Sequence, residues 1–151
     1  MIDETQRVKD WELLAQFSQA YRTLSDAFME QITMHRAQAT VLCKLFMQDG
    51  LTQSEIAQQL AVQGATVTDM LQRMEENKLV TRRRDPEDNR LVRVYLTEEG
   101  RKRERAITEQ FLKLESHIFE AFDENERAQL RHLLTRMLHN MTSERSKFLV
   151  I

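Results

Sequence analysis

Residues 51–101 read LTQSEIAQQLAVQGATVTDMLQRMEENKLVTRRRDPEDNRLVRVYLTEEGR. Thr52 followed three residues later by Glu55 is a capping box, which predicts a short helix ending near Leu60 with Ile56, Ala57 and Leu60 facing inward. Ala61-Val62-Gln63-Gly64 then predicts a turn, and a second helix opens near Ala65. Its buried side, Val67, Met70, Leu71 and Met74, follows the i, i+3, i+4, i+7 spacing of a helix face. Leu79–Arg84 and Leu91–Leu96 read as strands, the second alternating Val92, Val94 and Leu96 with Leu91, Arg93 and Tyr95. The segment between them, Asp85-Pro86-Glu87-Asp88-Asn89-Arg90, is rich in turn formers and charge. Helix, turn, helix and hairpin in that order predict a mainly α fold with a small β-hairpin, a winged helix-turn-helix.

The solvent side of the second helix is small and polar: Gln63, Gly64, Ala65, Thr66, Thr68, Asp69, Gln72 and Arg73. A helix can enter a major groove about 12 Å wide only if its outer side is not bulky. Gln63, Thr66, Thr68, Gln72 and Arg73 have the donors and acceptors to bond base edges or phosphates, while Ala65 and the threonine methyls can touch thymine methyl groups. The helix amides near Thr52 and Ser54 point to a phosphate. Arg82, Arg83 and Arg84 lie on one arm of the hairpin and Arg90 at its tip, where an arginine can enter a narrow A·T-rich minor groove. Asp88 is placed to brace the Arg90 guanidinium through two hydrogen bonds. Double-stranded DNA is therefore the expected partner.

Working outward, a helix from about Asp10 to Ile32 carries the stripe Leu14, Phe17, Tyr21, Leu24 and Phe28. It is longer than one small core needs, which points to packing against a second subunit. A helix over Arg36–Met47 buries Val41, Leu42, Leu45 and Phe46, and Gly50 ends it in the left-handed conformation. Thr97 caps a long helix reaching about Ala121, with Ile107, Phe111, Leu114, Ile118 and Phe122 as its stripe. Asp123 and Glu126 form another capping box, opening a last helix with Leu130, Leu133, Leu134, Met137, Leu138 and Met141 inward. The apolar tail Phe148-Leu149-Val150-Ile151 either docks or frays. The expected division is 1–35 and 98–151 for dimerisation and 36–97 for DNA binding, with Leu14, Phe17, Phe111, Leu114, Leu133 and Met137 at the subunit interface.

The chain has 151 residues, only three glycines and one proline, and a net charge of −2. Charge is uneven: Arg73–Arg105 holds eleven of the 22 basic residues against eight acids, a surplus of three, and leaves the remainder at −5. An acidic body with one basic segment suits a selective binder of a polyanion. No run approaches the roughly 20 apolar residues that span a bilayer, and the N-terminus lacks a signal-peptide layout, so a cytoplasmic location with no membrane association is expected. Nor is there a phosphate loop, a serine elbow or a paired metal motif, so neither catalysis nor a cofactor is expected. His35, His117, His132 and His139 form no metal-ligand spacing. Cys43, the one cysteine, reads either as a buried structural residue or as a redox switch.

The fifty-residue stretch resembles the MarR (multiple antibiotic resistance regulator) family. The resemblance rests on the Leu51-Thr52 opening, the Thr66-Val67-Thr68 core, Leu79-Val80, Asp85, the Asp88-Asn89-Arg90 wing, and Leu96-Thr97-Glu98-Glu99-Gly100. It implies a homodimer held by the first and last two helices, a pseudo-palindromic operator, repression as the usual outcome, and release by a small molecule or oxidant. It further implies a pocket for a small aromatic or phenolic effector, with Tyr21, Met34, His35 and Met47 as lining residues. Lys78 departs from the family by standing where a glycine usually closes the recognition helix, so Asn77 or Lys78 is expected to take the left-handed conformation. Gly64 and Asp69 occupy positions that are often basic or polar. The alternatives left open are a winged-helix interaction module that has lost DNA binding, and a redox regulator acting through Cys43.

Overall fold

A computed structural model describes residues 9–60 and 63–148, and the side chains to 143. The helices are α1 (Asp10–Glu30), α2 (Arg36–Met47), α3 (Gln53–Leu60), α4 (Gly64–Glu76), α5 (Glu98–Lys102), α6 (Glu104–Ile118) and α7 (Glu124–Phe148). The strands are β1 (Leu51–Thr52), β2 (Val80–Arg84) and β3 (Val92–Leu96). Ala61 and Val62 of the predicted turn, and Leu149–Ile151 of the apolar tail, lie outside the described residues.

The mainly α winged helix-turn-helix expected from sequence is present, with one addition. The wing is a three-stranded antiparallel sheet in the order β1-β3-β2 rather than a hairpin alone. Leu51 pairs with Val94 and Thr52 with Arg93, while β2 pairs with β3 from Val80↔Leu96 to Arg84↔Val92. Two residues give no visible period, so β1 follows from its partner rather than from its own sequence.

The chain forms two compact units, one ending at Leu114 and the other beginning at Glu115. In the first, Met29, Leu42, Leu45, Ile56, Leu71, Met74 and Ile107 are fully buried. Each such side chain contributes about 1.5–3 kcal/mol of transfer free energy, so this cluster is what locks α2, α3, α4 and the sheet together. α2 has the bounds expected of it, and Gly50 (φ +78°) ends the segment after it, where a Cβ would lie 2.9 Å from the Tyr95 ring.

Three other segments turn through the left-handed region without glycine, at Thr33, Lys78 and Ala121. At Lys78 (φ 60°) the chain closes α4 with bonds from Lys78 N to Glu75 O and Leu79 N to Met74 O, both 2.9 Å. The left-handed residue there is thus Lys78, and Asn77 stays at φ −81°.

The single long helix expected after Thr97 is broken at Arg103. Thr97 caps α5 by accepting from Gly100 N at 3.0 Å and anchors it by donating to Lys78 O at 2.5 Å. α5 is seated on the start of the wing, whereas α6 buries Ile107, Gln110 and Leu114. Between them Arg103 N bonds Gly100 O at 3.2 Å, an i to i−3 bond that tightens the turn.

In the second unit, the Asp123–Glu126 capping box is present, at 2.9 and 2.8 Å. Arg127 lies over the Phe119 ring, 4.7 Å from its centroid, and pairs with Glu115. The expected inward stripe of α7 needs correction. Leu130, Leu134 and Met137 are only half-buried, and Leu133, Leu138 and Met141 are exposed. A 3.6-residue period identifies an apolar face and leaves open whether the same chain covers it. Among the described residues no helix is long and apolar enough to cross a membrane.

Candidate nucleic-acid interface

The capping box at the start of α3 is closed in both directions. Thr52 N donates to Glu55 Oε2 at 2.7 Å, and Glu55 N donates to Thr52 Oγ1 at 3.1 Å. Thr52 is buried as well, so its hydroxyl is committed to the helix start, while Ser54 beside it is exposed. α4 packs Val67, Leu71 and Met74 into the core. That burial leaves Gln63, Gly64, Ala65, Thr66, Thr68, Asp69, Gln72 and Arg73 exposed along one side.

These exposed residues are not equivalent. Thr68 donates to Gly64 O at 3.0 Å and accepts from Gln53 Nε2 at 3.4 Å. Gln72 Nε2 donates to Glu76 Oε1 at 3.2 Å. Gln63, Thr66, Asp69 and Arg73 have no side-chain partner among the described residues.

The three consecutive arginines of β2 diverge in the same way. The Arg82 main-chain N donates to Glu75 Oε2 at 2.8 Å, and its guanidinium donates to Glu75 Oε1 at 3.3 Å and to Gln53 Oε1 at 3.5 Å. Arg82 is therefore a strut between β2, α4 and α3. Arg83 faces Arg93 across the ladder, and its guanidinium lies over the Tyr95 ring, 5.3 Å from the centroid. Arg84 donates to Asn89 O at 2.7 Å, tying the wing's arm to its tip. Nothing in the sequence marks Gln53 or Glu75 for this work, because both act across chain separations of seven residues or more.

At the tip, Arg90 grips Asp88 with two parallel bonds, Nε to Oδ1 and a terminal nitrogen to Oδ2, both 3.0 Å. Its side chain is still 90% exposed, so the pair holds the guanidinium in place without hiding it. Beneath it Asp85 is buried. It accepts from Glu87 N at 2.8 Å, Asp88 N at 3.2 Å and Arg93 Nε at 2.5 Å. Arg93 continues to Gly50 O at 2.9 Å, linking the wing tip to the turn before β1. Asp49 closes the other end, accepting from Leu96 N at 2.8 Å and from Arg101 at 2.9 Å.

The Arg93 guanidinium, followed by the Glu87 main-chain N–H, holds the Asp85 carboxyl below the usual carboxylate range. A carboxyl whose pKa is lowered by folding stabilises the fold above its unfolded value, about 3.9, and loses that contribution as pH falls through the folded value. The stability gap between the protein and an Asp85→Asn variant is thus expected to hold from neutral pH to about pH 5 and to shrink below about pH 4. Urea titrations from pH 7 to pH 3 measure it, and a gap that widens on acidification contradicts this role.

The residues read as effector-pocket lining are spread apart. His35 lies on an open cleft of about 400 Å³ with Gln38, Thr66, Asp69, Met70 and Arg73. His35 and Met34 also border a second cleft with Asp26 and Arg36. Tyr21 and Met47 border neither, and Met47 is 86% exposed. Cys43 is half-buried, and burial pushes its thiol pKa up, which disfavours the reactive thiolate. Among the described residues no three His, Cys, Asp or Glu side chains are grouped to hold a metal ion. Of the residues read as interface, Leu14, Phe17 and Leu133 are exposed and Met137 is half-buried. Phe111 packs against the chain's own core and Leu114 is buried, so both are occupied within the subunit.

Three comparisons bear on this arrangement. The profile of the MarR family matches residues 34–92. A Bacillus subtilis relative, the uncharacterized HTH-type transcriptional regulator YwoH, is 33% identical over 129 residues, spanning 83% of this chain and 93% of the relative. Among solved structures, the Staphylococcus aureus MepR–DNA complex is 32% identical with a TM-score of 0.80, covering 89% of this chain and 99% of that one. A MarR protein from Peptoclostridium difficile shares the fold with a TM-score of 0.85 at 22% identity.

Proposed function

Because the chain belongs to the MarR family, we propose that it is a cytoplasmic, homodimeric repressor that binds a pseudo-palindromic DNA operator and responds to a small molecule. The observation that carries this reading is the wing tip: Arg90, 90% exposed, is held by two 3.0 Å bonds that it donates to Asp88, beside a recognition helix with an uncluttered outer side. A fully exposed cation held in one geometry favours a fixed anionic target over general solubility. The MepR neighbour, solved with DNA, supports the same reading.

In this scheme Thr66, Gln72 and Arg73 approach bases or phosphates, Arg83 and Arg84 flank the backbone, and Ser54 with the α3 amides meets a phosphate. Arg82 contributes by holding the wing against α4. Pairing is assigned to the apolar face of α1, where Trp11, Leu14, Phe17 and Tyr21 are 42–63% exposed, together with Leu133 and Leu138 of α7. The dimerising segments are then 1–35 and 98–151, on either side of a DNA-binding region over 36–97. The effector is assigned to the cleft bounded by His35 and Arg73. Because Thr66 and Asp69 share that cleft, an aromatic acid seated there competes with DNA for the recognition helix.

Selection from a random duplex pool tests the whole reading. The protein is expected to enrich an inverted repeat whose half-sites lie about 10 bp apart, or a multiple of that. Failure to enrich any sequence overturns DNA binding, and enrichment of a single unrepeated half-site overturns the dimer.

A further inference from the structure

Thr66 and Thr68 stand two residues apart on the exposed side of α4, and in sequence they are the same residue type. Their surroundings separate them. A threonine hydroxyl has one proton to donate and two lone pairs to accept with. The Thr68 proton goes to Gly64 O, one turn back in its own helix, at 3.0 Å. One lone pair receives Gln53 Nε2 at 3.4 Å, a long bond whose direction is nevertheless fixed. Gln53 points its carbonyl oxygen at the Arg82 guanidinium, 3.5 Å away, and Arg82 is itself held by Glu75. With its oxygen turned to a cation, the Gln53 amide offers Thr68 only its NH₂ end. Thr66 has no such partners among the described residues and keeps its proton free.

From this geometry we infer that Thr68 determines specificity through its methyl group, reading the 5-methyl of a thymine, and supplies no hydrogen-bond donor to a base. The inference rests on the DNA-binding reading of the preceding subsection. The hydroxyl oxygen is drawn toward α3 and the preceding turn of α4, which leaves Cγ2 as the one side-chain group of Thr68 without a polar partner. Thymine alone among the DNA bases carries an apolar group at the major-groove edge.

Two variants and one altered base distinguish a methyl reader from a hydroxyl reader. Thr68→Val keeps the methyl and removes the hydroxyl, whereas Thr68→Ser keeps the hydroxyl and removes the methyl. Both change a solvent-exposed position, and their melting temperatures report folding independently. The duplex most enriched by the wild type is the probe, with thymines of one half-site replaced singly by deoxyuridine, which lacks the 5-methyl. Thr68→Val is expected to enrich the same motif and to bind within about twofold of wild type. Thr68→Ser is expected to lose about fourfold per half-site, the worth of one buried methyl. One deoxyuridine position should weaken wild type and Thr68→Val by that same factor while leaving Thr68→Ser unchanged.

If Thr68→Ser binds like wild type while Thr68→Val loses tenfold, the hydroxyl reads the base and the inference is overturned. It is equally overturned if no deoxyuridine substitution affects the wild type. Enrichment of no motif by the wild type removes the underlying DNA-binding reading and this inference with it. The first two results leave DNA binding intact.

Discussion

Replacing Arg90 by alanine lowers affinity for the selected operator about 100-fold and flattens its salt dependence. Each half-site loses one cation at the minor groove, worth about 1.4 kcal/mol or a factor of ten, and a dimer loses two. The slope of log affinity against log salt should fall by about 1.8, since each neutralised phosphate contributes about 0.9. Orientation matters as much as charge. Asp88 accepts both an Nε and a terminal N–H of Arg90, a fork that lysine lacks. Arg90→Lys is therefore expected to keep the salt slope and recover only part of the affinity. Filter binding or anisotropy from 50 to 300 mM salt, over which the Debye length shrinks about 2.5-fold, makes the measurement. An Arg90→Ala protein with wild-type affinity and slope removes the wing tip from the interface.

The largest effect on stability is expected at Gly100. A Cβ built there lies 2.1 Å from Leu79 O and 3.2 Å from Leu79 C, inside any tolerable contact with backbone. That oxygen has little freedom to withdraw, because it accepts from Thr97 N at 3.2 Å while Leu79 N is bonded to Met74 O at 2.9 Å. The close approach lets α5 sit against Leu79 at the start of β2, directly after the left-handed turn at Lys78. Gly100→Ala should cost about 3 kcal/mol by overpacking, which lowers the melting temperature by about 10 °C at this chain length. Gly64→Ala is the control. Nothing lies within 4 Å of a Cβ built at Gly64, so alanine there is expected to be neutral or slightly stabilising. Equal melting temperatures for the two variants would falsify the packing account of Gly100.

The two glycines look alike in the sequence, one opening the recognition helix and the other lying within the first turn of α5. What the sequence determined is whatever depends on neighbours a few residues apart. Both capping boxes, the bounds of α2, the periodic buried side of α4 and the Asp88–Arg90 pair are of this kind. In each, the partners are brought together by local backbone geometry, so spacing alone was enough to read them. The left-handed turn after α4 was expected only from the family resemblance, at Asn77 or Lys78, and the fold places it at Lys78.

The tertiary structure decided the rest. Thr52 pairs with Arg93 across 41 residues of chain, which makes β1 a strand too short to announce itself. The break at Arg103 falls between α5, tied to Lys78 O through Thr97, and α6, which buries Ile107, Gln110 and Leu114. Three adjacent arginines became a strut, a stacked cation and a wing tie because each meets a different group, Glu75 of α4, the Tyr95 ring of β3 and the Asn89 carbonyl at the wing tip. Two threonines on opposite flanks of the exposed side of α4 acquired different chemistry because Gln53 of α3 reaches only Thr68. A side chain's hydrogen-bonding capacity is written in its residue type. How much of that capacity is left for DNA is settled by what the fold has already placed beside it.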